Sequence, residues 1–429
     1  MNPRTAYTGA LLSFRSDPGE GDARTWDYWE RGALIVAGGR IEAVGPAPEL
    51  LRANPGLTVI DHGAGLILPG FIDIHIHYPQ TDMIAAGGRD LLDWLTRYAF
   101  PTEQGFGDGA HAAQVAEFFL DELMRQGTTT AQVLGTVHAA SAEAFFQAAA
   151  RRRLRMIAGK TLMDRNAPAA LMDTAAGSEQ EARALIERWH GQERLGYAIT
   201  PRFAPTSTPE QLARAGALAR EFPDVFIHSH LAENVREIDW VRQLFPGARS
   251  YLDVYDSVGL LRERATYAHC IHLDAADRTR MAASGAGAAF CPTSNLYLGS
   301  GLFDLAAADA AGMPFALATD VGGGTSFSML ATMAEAWKVA QLKGQRLTPQ
   351  RAFYLATLAG ARQLGLADRI GSLQPGLEAD FIVLDPGATP LLARRMRLAA
   401  TLPERLQLWM MLGDDRAVAA TYVLGERVK

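Results

Sequence analysis

The sequence predicts an α/β protein: a (β/α)8 TIM-like barrel with a small β-sandwich domain formed by the N- and C-terminal segments. Three observations predict it. Between residues 67 and 370, eight short apolar runs alternate with helical or irregular segments, the pattern of a parallel sheet with helices outside it. Eight such units over roughly 300 residues suit a closed barrel better than an open doubly wound sheet. The two ends, 1–66 and 371–429, carry strand-like pieces instead, as two parts of one small domain split by the barrel.

In the first segment the pieces are Tyr7 to Phe14, Gly32 to Val36, Arg40 to Val44 and Leu57 to Asp61, with Gly38-Gly39 reading as a tight hairpin turn. The matching C-terminal pieces are Ala379 to Leu384 and Ala417 to Leu424. The barrel strands are expected at Phe71 to Ile76, Thr128 to Leu134, Arg155 to Leu162, Tyr197 to Phe203, Val225 to Leu231, Tyr267 to Leu273, Gly287 to Pro292 and Pro314 to Thr319. Helices are expected over 109–125, 141–153, 179–190, 208–221 and 274–284, with one more beginning near Ser326. Thr208 with Gln211 three residues on is an N-terminal capping pattern.

At 429 residues with 48% hydrophobic and 21% charged content, the chain can bury a sizeable core. A net charge of −6 gives no reason to expect nucleic acid or an anionic membrane as partner. Arg151-Arg152-Arg153 is better placed as the last turn of a helix than as a binding patch. The two cysteines, Cys270 and Cys291, lie far apart in apolar runs, so free buried thiols and a cytoplasmic location are expected. No signal peptide is expected at the N-terminus. No G-x-G-x-x-G follows a strand, no G-x-x-x-x-G-K-[ST] occurs, and Gly322-Gly323-Gly324 lacks a phosphate-binding spacing.

In a barrel, chemistry collects at the C-terminal ends of the strands. Strand one ends in His75, His77 and then Gln80; because side chains alternate along a strand, Asp73, His75 and His77 share a face. Strand four ends in Arg202-Phe203, strand five in His228-Ser229-His230 with Glu233 beyond, strand six in His269 and His272, and strand eight in Asp320. An isolated His-x-His is more often hydrogen bonded than metal bound; the later rim residues are what turn it into a candidate site. Imidazoles with one carboxylate suit zinc or ferrous iron rather than magnesium. His75, His77, His230 and Asp320 leave room for one water, whose pKa such a metal lowers from about 16 to near 7. Asp320 can take that water's proton, Glu233 can move protons to a substrate, and His269 can polarise the reacting centre. His228 lies deeper and reads as a packing or supporting residue, and His272 as an anchor for the following loop. His62, His111, His138 and His190 lie away from the strand ends. Lys160 could bridge two metals if carboxylated, but pairing with a nearby carboxylate is the commoner fate of such a lysine.

With these residues assembled, the sequence resembles the amidohydrolase superfamily through P-G-F-I-D-I-H-I-H, S-H-L-A-E, A-H-C and A-T-D in order. The segments H-I-H-Y-P-Q-T-D-M-I-A, L-L-D-W-L, T-P-R-F-A-P, C-P-T-S-N and T-D-V-G-G-G-T-S-F-S resemble the guanine-deaminating branch of that superfamily. The resemblance spans essentially the whole chain. It implies one zinc per subunit held by His75, His77, His230 and Asp320, with Fe2+ as the alternative. Glu233 would then be the acid–base residue, His269 would assist, and Gln80, Arg202 and Phe203 would contact a purine. Gln80 offers a donor and an acceptor, Arg202 donors towards a carbonyl, and Phe203 a stacking face. The implied reaction is hydrolytic deamination of guanine to xanthine and ammonia, by a homodimer. The stretch around Lys160, G-K-T-L-M-D, also resembles the mononuclear deaminases. Alternatives on the same fold are a deaminase of adenine, a pterin or a triazine, and a non-catalytic scaffold. The other zinc deaminase family needs H-x-E with P-C-x-x-C, and neither is present.

Overall fold

In the computed structural model, which describes residues 4–429, four strands open the chain: β1 (Thr5–Phe14), β2 (Trp26–Ala37), β3 (Arg40–Pro46) and β4 (Thr58–Pro69). The next nine are β5 (Phe71–His77), β6 (Thr128–Leu134), β7 (Arg155–Gly159), β8 (Thr161–Leu162), β9 (Gly196–Pro201), β10 (Phe226–Leu231), β11 (Ala265–His269), β12 (Gly287–Phe290) and β13 (Phe315–Leu317). β14 (Phe381–Leu384), β15 (Val418–Val423) and β16 (Glu426–Arg427) close the chain. Two compact units result. One holds the residues up to 72 together with 122–130 and 328–429; the other holds 73–121 and 131–327.

The terminal strands form a single hydrogen-bonded path, β16-β15-β14-β4-β1-β2-β3. Only β1 and β4 pair in parallel. Gly38 and Gly39 turn β2 into β3 with φ of 57° and 79°, left-handed values that glycine adopts without a Cβ clash. The apolar face of this sheet buries Tyr7, Leu34, Ile67, Phe381, Val383 and Tyr422. Phe381 and Tyr422 stack with ring centroids 4.4 Å apart, and Tyr7 meets both edge-on. Burial of each such side chain contributes about 2–3 kcal/mol.

The second sheet runs β5-β6-β7-β9-β10-β11-β12-β13, with β8 continuing the third run against β9 after Lys160. Its strands are buried almost throughout, which is why they read as continuous apolar runs rather than alternating ones. The last strand returns to the first through the segment that follows it. Asp320 donates its backbone N–H to the His75 carbonyl at 2.9 Å, and His77 donates its own to Val321 at 2.7 Å. Asp73, fully buried, accepts the Thr319 backbone N–H at 3.1 Å, the Thr319 hydroxyl, and the His75 N–H at 3.2 Å. Burial is the main cause that pushes its carboxyl up to about 7.

Most expected elements hold. Thr208 caps its helix (Pro209–Glu221) by accepting the Gln211 N–H at 3.2 Å. The sixth barrel strand is shorter than its apolar run. It stops at His269, because His269 and Cys270 take φ of 71° and 52° and turn the chain out of the sheet. Beyond β5, a 3-10 turn (Tyr78–Met83) leads to a helical stretch made of Leu91–Trp94, one π turn over Leu95–Ala99, and Phe100–Gln104. Pro101, with no N–H and a ring that would strike the preceding turn, accounts for the widened turn. Leu91, Trp94, Leu95 and Phe100 pack with Phe203 and Leu298.

Candidate active site

Strand alternation brings Asp73, His75 and His77 to one face of β5, and β10 contributes His228 and His230 in the same way. The four nominated ligands meet. His77 Nε2 lies 3.2 Å from His75 Nε2 and 3.3 Å from His230 Nε2. Asp320 Oδ1 lies 3.0 Å from His75 Nε2 and 3.3 Å from His77 Nε2. A tetrahedral site with metal–nitrogen bonds of about 2.1 Å spaces its donors roughly 3.4 Å apart. His269 belongs to the same cluster, since His75, His230, His269 and Asp320 each put a donor atom within 4.8 Å of the others.

The outward nitrogens show which tautomer faces inward. His230 Nδ1–H donates to the Arg202 carbonyl at 2.6 Å, His269 Nδ1 meets Asn295 Oδ1 at 2.8 Å, and His75 Nδ1 meets His228 Nε2 at 2.7 Å. With its Nδ1 proton engaged there, His230 turns a bare Nε2 lone pair towards the cluster, the arrangement of a metal-ligating histidine. Burial holds the imidazoles of His75, His77, His228 and His230 low, His77 at about 4, so they stay neutral. Burial pushes the Asp320 carboxyl up, but His75 and its neighbours outweigh that and hold it well below the usual range. His77 Nδ1 and His228 Nδ1 have no hydrogen-bond partner among the described residues. Neutral nitrogens, one ionised carboxylate and a shared focus fit a divalent cation.

Glu233 stands beside this cluster. Its Oε2 is 3.3 Å from His269 Nε2, and its Oε1 accepts the Ser300 hydroxyl at 2.8 Å. Burial, and then the Asp320 charge, push its carboxyl up to about 8. Glu237 supports the backbone from below: its Oε2 accepts the N–H groups of Glu233 and Asn234, and its Oε1 accepts the Tyr251 hydroxyl at 2.8 Å. Three site residues, Ala232, His269 and Asp320, hold positive φ without being glycine, the kind of strain that collects where function over-determines the backbone.

The cluster forms the floor of a pocket walled by Gln80, Leu91, Trp94, Leu95, Arg202 and Phe203. The three nominated purine-contacting residues are therefore together on one wall. Gln80 Oε1 accepts the Gly322 N–H at 3.0 Å, which gives the triple-glycine run its role. A Cβ at Gly322 would lie 2.7 Å from the Gln80 carbonyl oxygen, and one at Gly324 would meet the Thr319 carbonyl. Glu103, Asn295, Ser300 and Glu237 escaped the sequence reading. Asn295 sits in the C-P-T-S-N stretch, and nothing local to Glu103 marks it out, since Asp93 and Arg97 share its helical stretch.

The remaining candidates sit elsewhere in the network. His272 Nε2 donates to the Ser300 carbonyl at 2.9 Å. Lys160 is fully buried, with Nζ 2.7 Å from Asp173 and 2.5 Å from Glu181. Cys270 and Cys291 are free and buried.

Residues 66–428 match the amidohydrolase family. A guanine deaminase of Escherichia coli K12 is 49% identical over 402 residues, covering 94% of this chain and 92% of that protein. Among solved structures, E. coli guanine deaminase superposes with a TM-score of 0.97 at 47% identity, over 99% of each chain. The guanine deaminase of C. acetobutylicum, solved with guanine in its active site, gives 0.90 at 27% identity, over 99% of this chain and 100% of that one.

Proposed function

The chain belongs to the amidohydrolase family, and from that premise we propose that it hydrolyses guanine to xanthine and ammonia. One observation carries the reading: a converging set of neutral imidazoles and one ionised carboxylate floors a cavity whose wall presents Gln80, Arg202 and Phe203. The relatives of E. coli and C. acetobutylicum are both named guanine deaminases.

His75, His77, His230 and Asp320 would hold one divalent metal, zinc by the donor set, with ferrous iron as the alternative. When bound, it supplies an acidified water as the nucleophile. The protein's own residues do the rest. Gln80 and Arg202 orient the purine by hydrogen bonds and Phe203 covers a ring face. Glu233, protonated near neutral pH, delivers its proton to the ring nitrogen beside the reacting carbon and recovers one from the added hydroxyl as the carbonyl of xanthine forms. Ionised Asp320 takes the proton that the water gives up and passes it to the departing amine. His269, its Nδ1–H held by Asn295, orients the oxygen that forms on the substrate. Guanine and water enter; xanthine and ammonia leave.

A reducing cytoplasm suits the two free cysteines, and among the described residues no helix is long and apolar enough to cross a membrane. The homodimer is carried from the family resemblance and is read by light scattering. The decisive assay follows ammonia and xanthine together from guanine, with and without a chelator. Stoichiometric release abolished by the chelator is expected; no release from metal-loaded protein overturns the reading.

A further inference from the structure

Glu103 lies behind the purine-facing wall, fully buried, and touches both of the polar side chains that form it. Its Oε1 accepts from Gln80 Nε2 at 2.8 Å, and its Oε2 accepts from Arg202 Nη1 at 2.6 Å. We propose that Glu103 is a positioning residue that sets which hydrogen-bonding edge of a purine the pocket accepts.

The argument starts from the amide. A glutamine's oxygen and nitrogen ends are nearly the same size, and an unrestrained amide can present them in either order. At Gln80 the order is locked from both sides. Gly322 offers only a donor to one end, and Glu103, whose two oxygens accept from Gln80 and Arg202, offers an acceptor to the other. A flipped amide would set oxygen against carboxylate and NH2 against N–H, losing two buried hydrogen bonds at once. The second hydrogen on Nε2 and the second lone pair on Oε1 remain for a ligand, in one fixed order. A purine edge with the reverse order meets donor against donor.

The same carboxylate governs Arg202. The guanidinium is buried, with its carbon 5.4 Å over the Phe100 ring, and Glu103 is the carboxylate paired with it. Pairing fixes one face of the guanidinium fork and leaves the other N–H groups for a carbonyl. It also neutralises the charge, so the pocket suits an uncharged carbonyl-bearing ring rather than an anion. Gln80, Arg202 and Glu103 thus act as one recognition unit, and Glu103 itself need not touch substrate.

This inference rests on the guanine reading and deepens it. The test uses metal-loaded full-length protein and two probes: guanine, and 2-aminopurine, which carries the reacting amine but no ring carbonyl. Glu103→Gln puts an amide NH2 against either Gln80 Nε2 or Arg202. Guanine kcat/KM is expected to fall about 30- to 100-fold, mostly through KM, while 2-aminopurine changes less than about threefold as substrate or competitive inhibitor. Metal content should be unchanged. Should that variant fail to fold, Glu103→Asp keeps the charge but shortens the reach, and is expected to show a smaller loss confined to guanine. Equal losses on both probes, or no loss on either, overturn the positioning role. Absence of guanine turnover in the wild type is a different result, and removes the underlying reading along with it.

Discussion

His230 Nε2 faces His77 Nε2 across 3.3 Å, while the other nitrogen of His230 is engaged by the Arg202 carbonyl at 2.6 Å. The inward side of that ring therefore presents a lone pair, not a proton. With the nitrogens of His75 and His77 and the Asp320 carboxylate beside it, the cluster has the donor set that a bound cation would draw on.

Metal removal should accordingly destabilise the protein as well as silence it. Occupancy at a hundredfold excess over Kd is worth about 2.7 kcal/mol. Calorimetry of chelated against zinc-restored protein is expected to show a Tm about 3 °C lower, recovered on metal return. An unchanged Tm would show that the cluster holds no ion.

Glu233→Gln keeps the size of the side chain and can still accept from Ser300, but it has no acidic proton to give. We expect kcat for guanine to fall about 10²- to 10⁴-fold with metal content intact. Turnover near the wild-type rate would remove Glu233 from the proton path.

Asn295 holds His269 through the 2.8 Å contact to Nδ1. In Asn295→Ala the ring is free to rotate or to exchange tautomers. The expected loss in kcat is about 10- to 100-fold, with KM changed much less. A KM effect without a kcat effect would contradict the orienting role.

Glu237 gives a pH dependence of stability. Its carboxyl is raised from 4.5 to about 7, by burial first and the Glu233 charge second. The folded state thus binds the proton more tightly than the unfolded chain. Stability from this group is fully present below pH 4.5 and is lost as pH rises to about 7, by up to about 3 kcal/mol. Glu237→Gln can satisfy the same partners, its oxygen taking the two N–H groups and its NH2 the Tyr251 hydroxyl. Its Tm is expected to rise relative to wild type between pH 4.5 and 7. Parallel Tm curves would rule the titration out.

Much of this was legible in the sequence. The barrel announced itself because parallel strands covered on both faces read as short apolar runs, and the parity of Asp73, His75 and His77 follows from the strand repeat alone. The rim residues were found by asking what ends each run. The backbone at His269 was not legible, since its positive φ is imposed by packing and belongs to no local pattern. Glu103 was invisible for a related reason. It lies 23 positions from Gln80 and 99 from Arg202, and nothing local to a helix says that a charge on it will be buried against them. Asp73 was placed on the right face, but its pairing with Thr319 is a long-range contact.

The single π turn at Leu95–Ala99 has a bearing on how pocket selectivity can change. A π turn is an α-helix carrying one extra residue, and each residue removed from a plain α turn rotates everything after it by about 100°. A deletion inside the π turn only closes it to a plain α turn, but one between it and Glu103 would swing that side chain away from Gln80 and Arg202. Length variation in this helix, without any substitution among the residues facing the ligand, is therefore a route by which descendants of this sequence could relax their choice of ring.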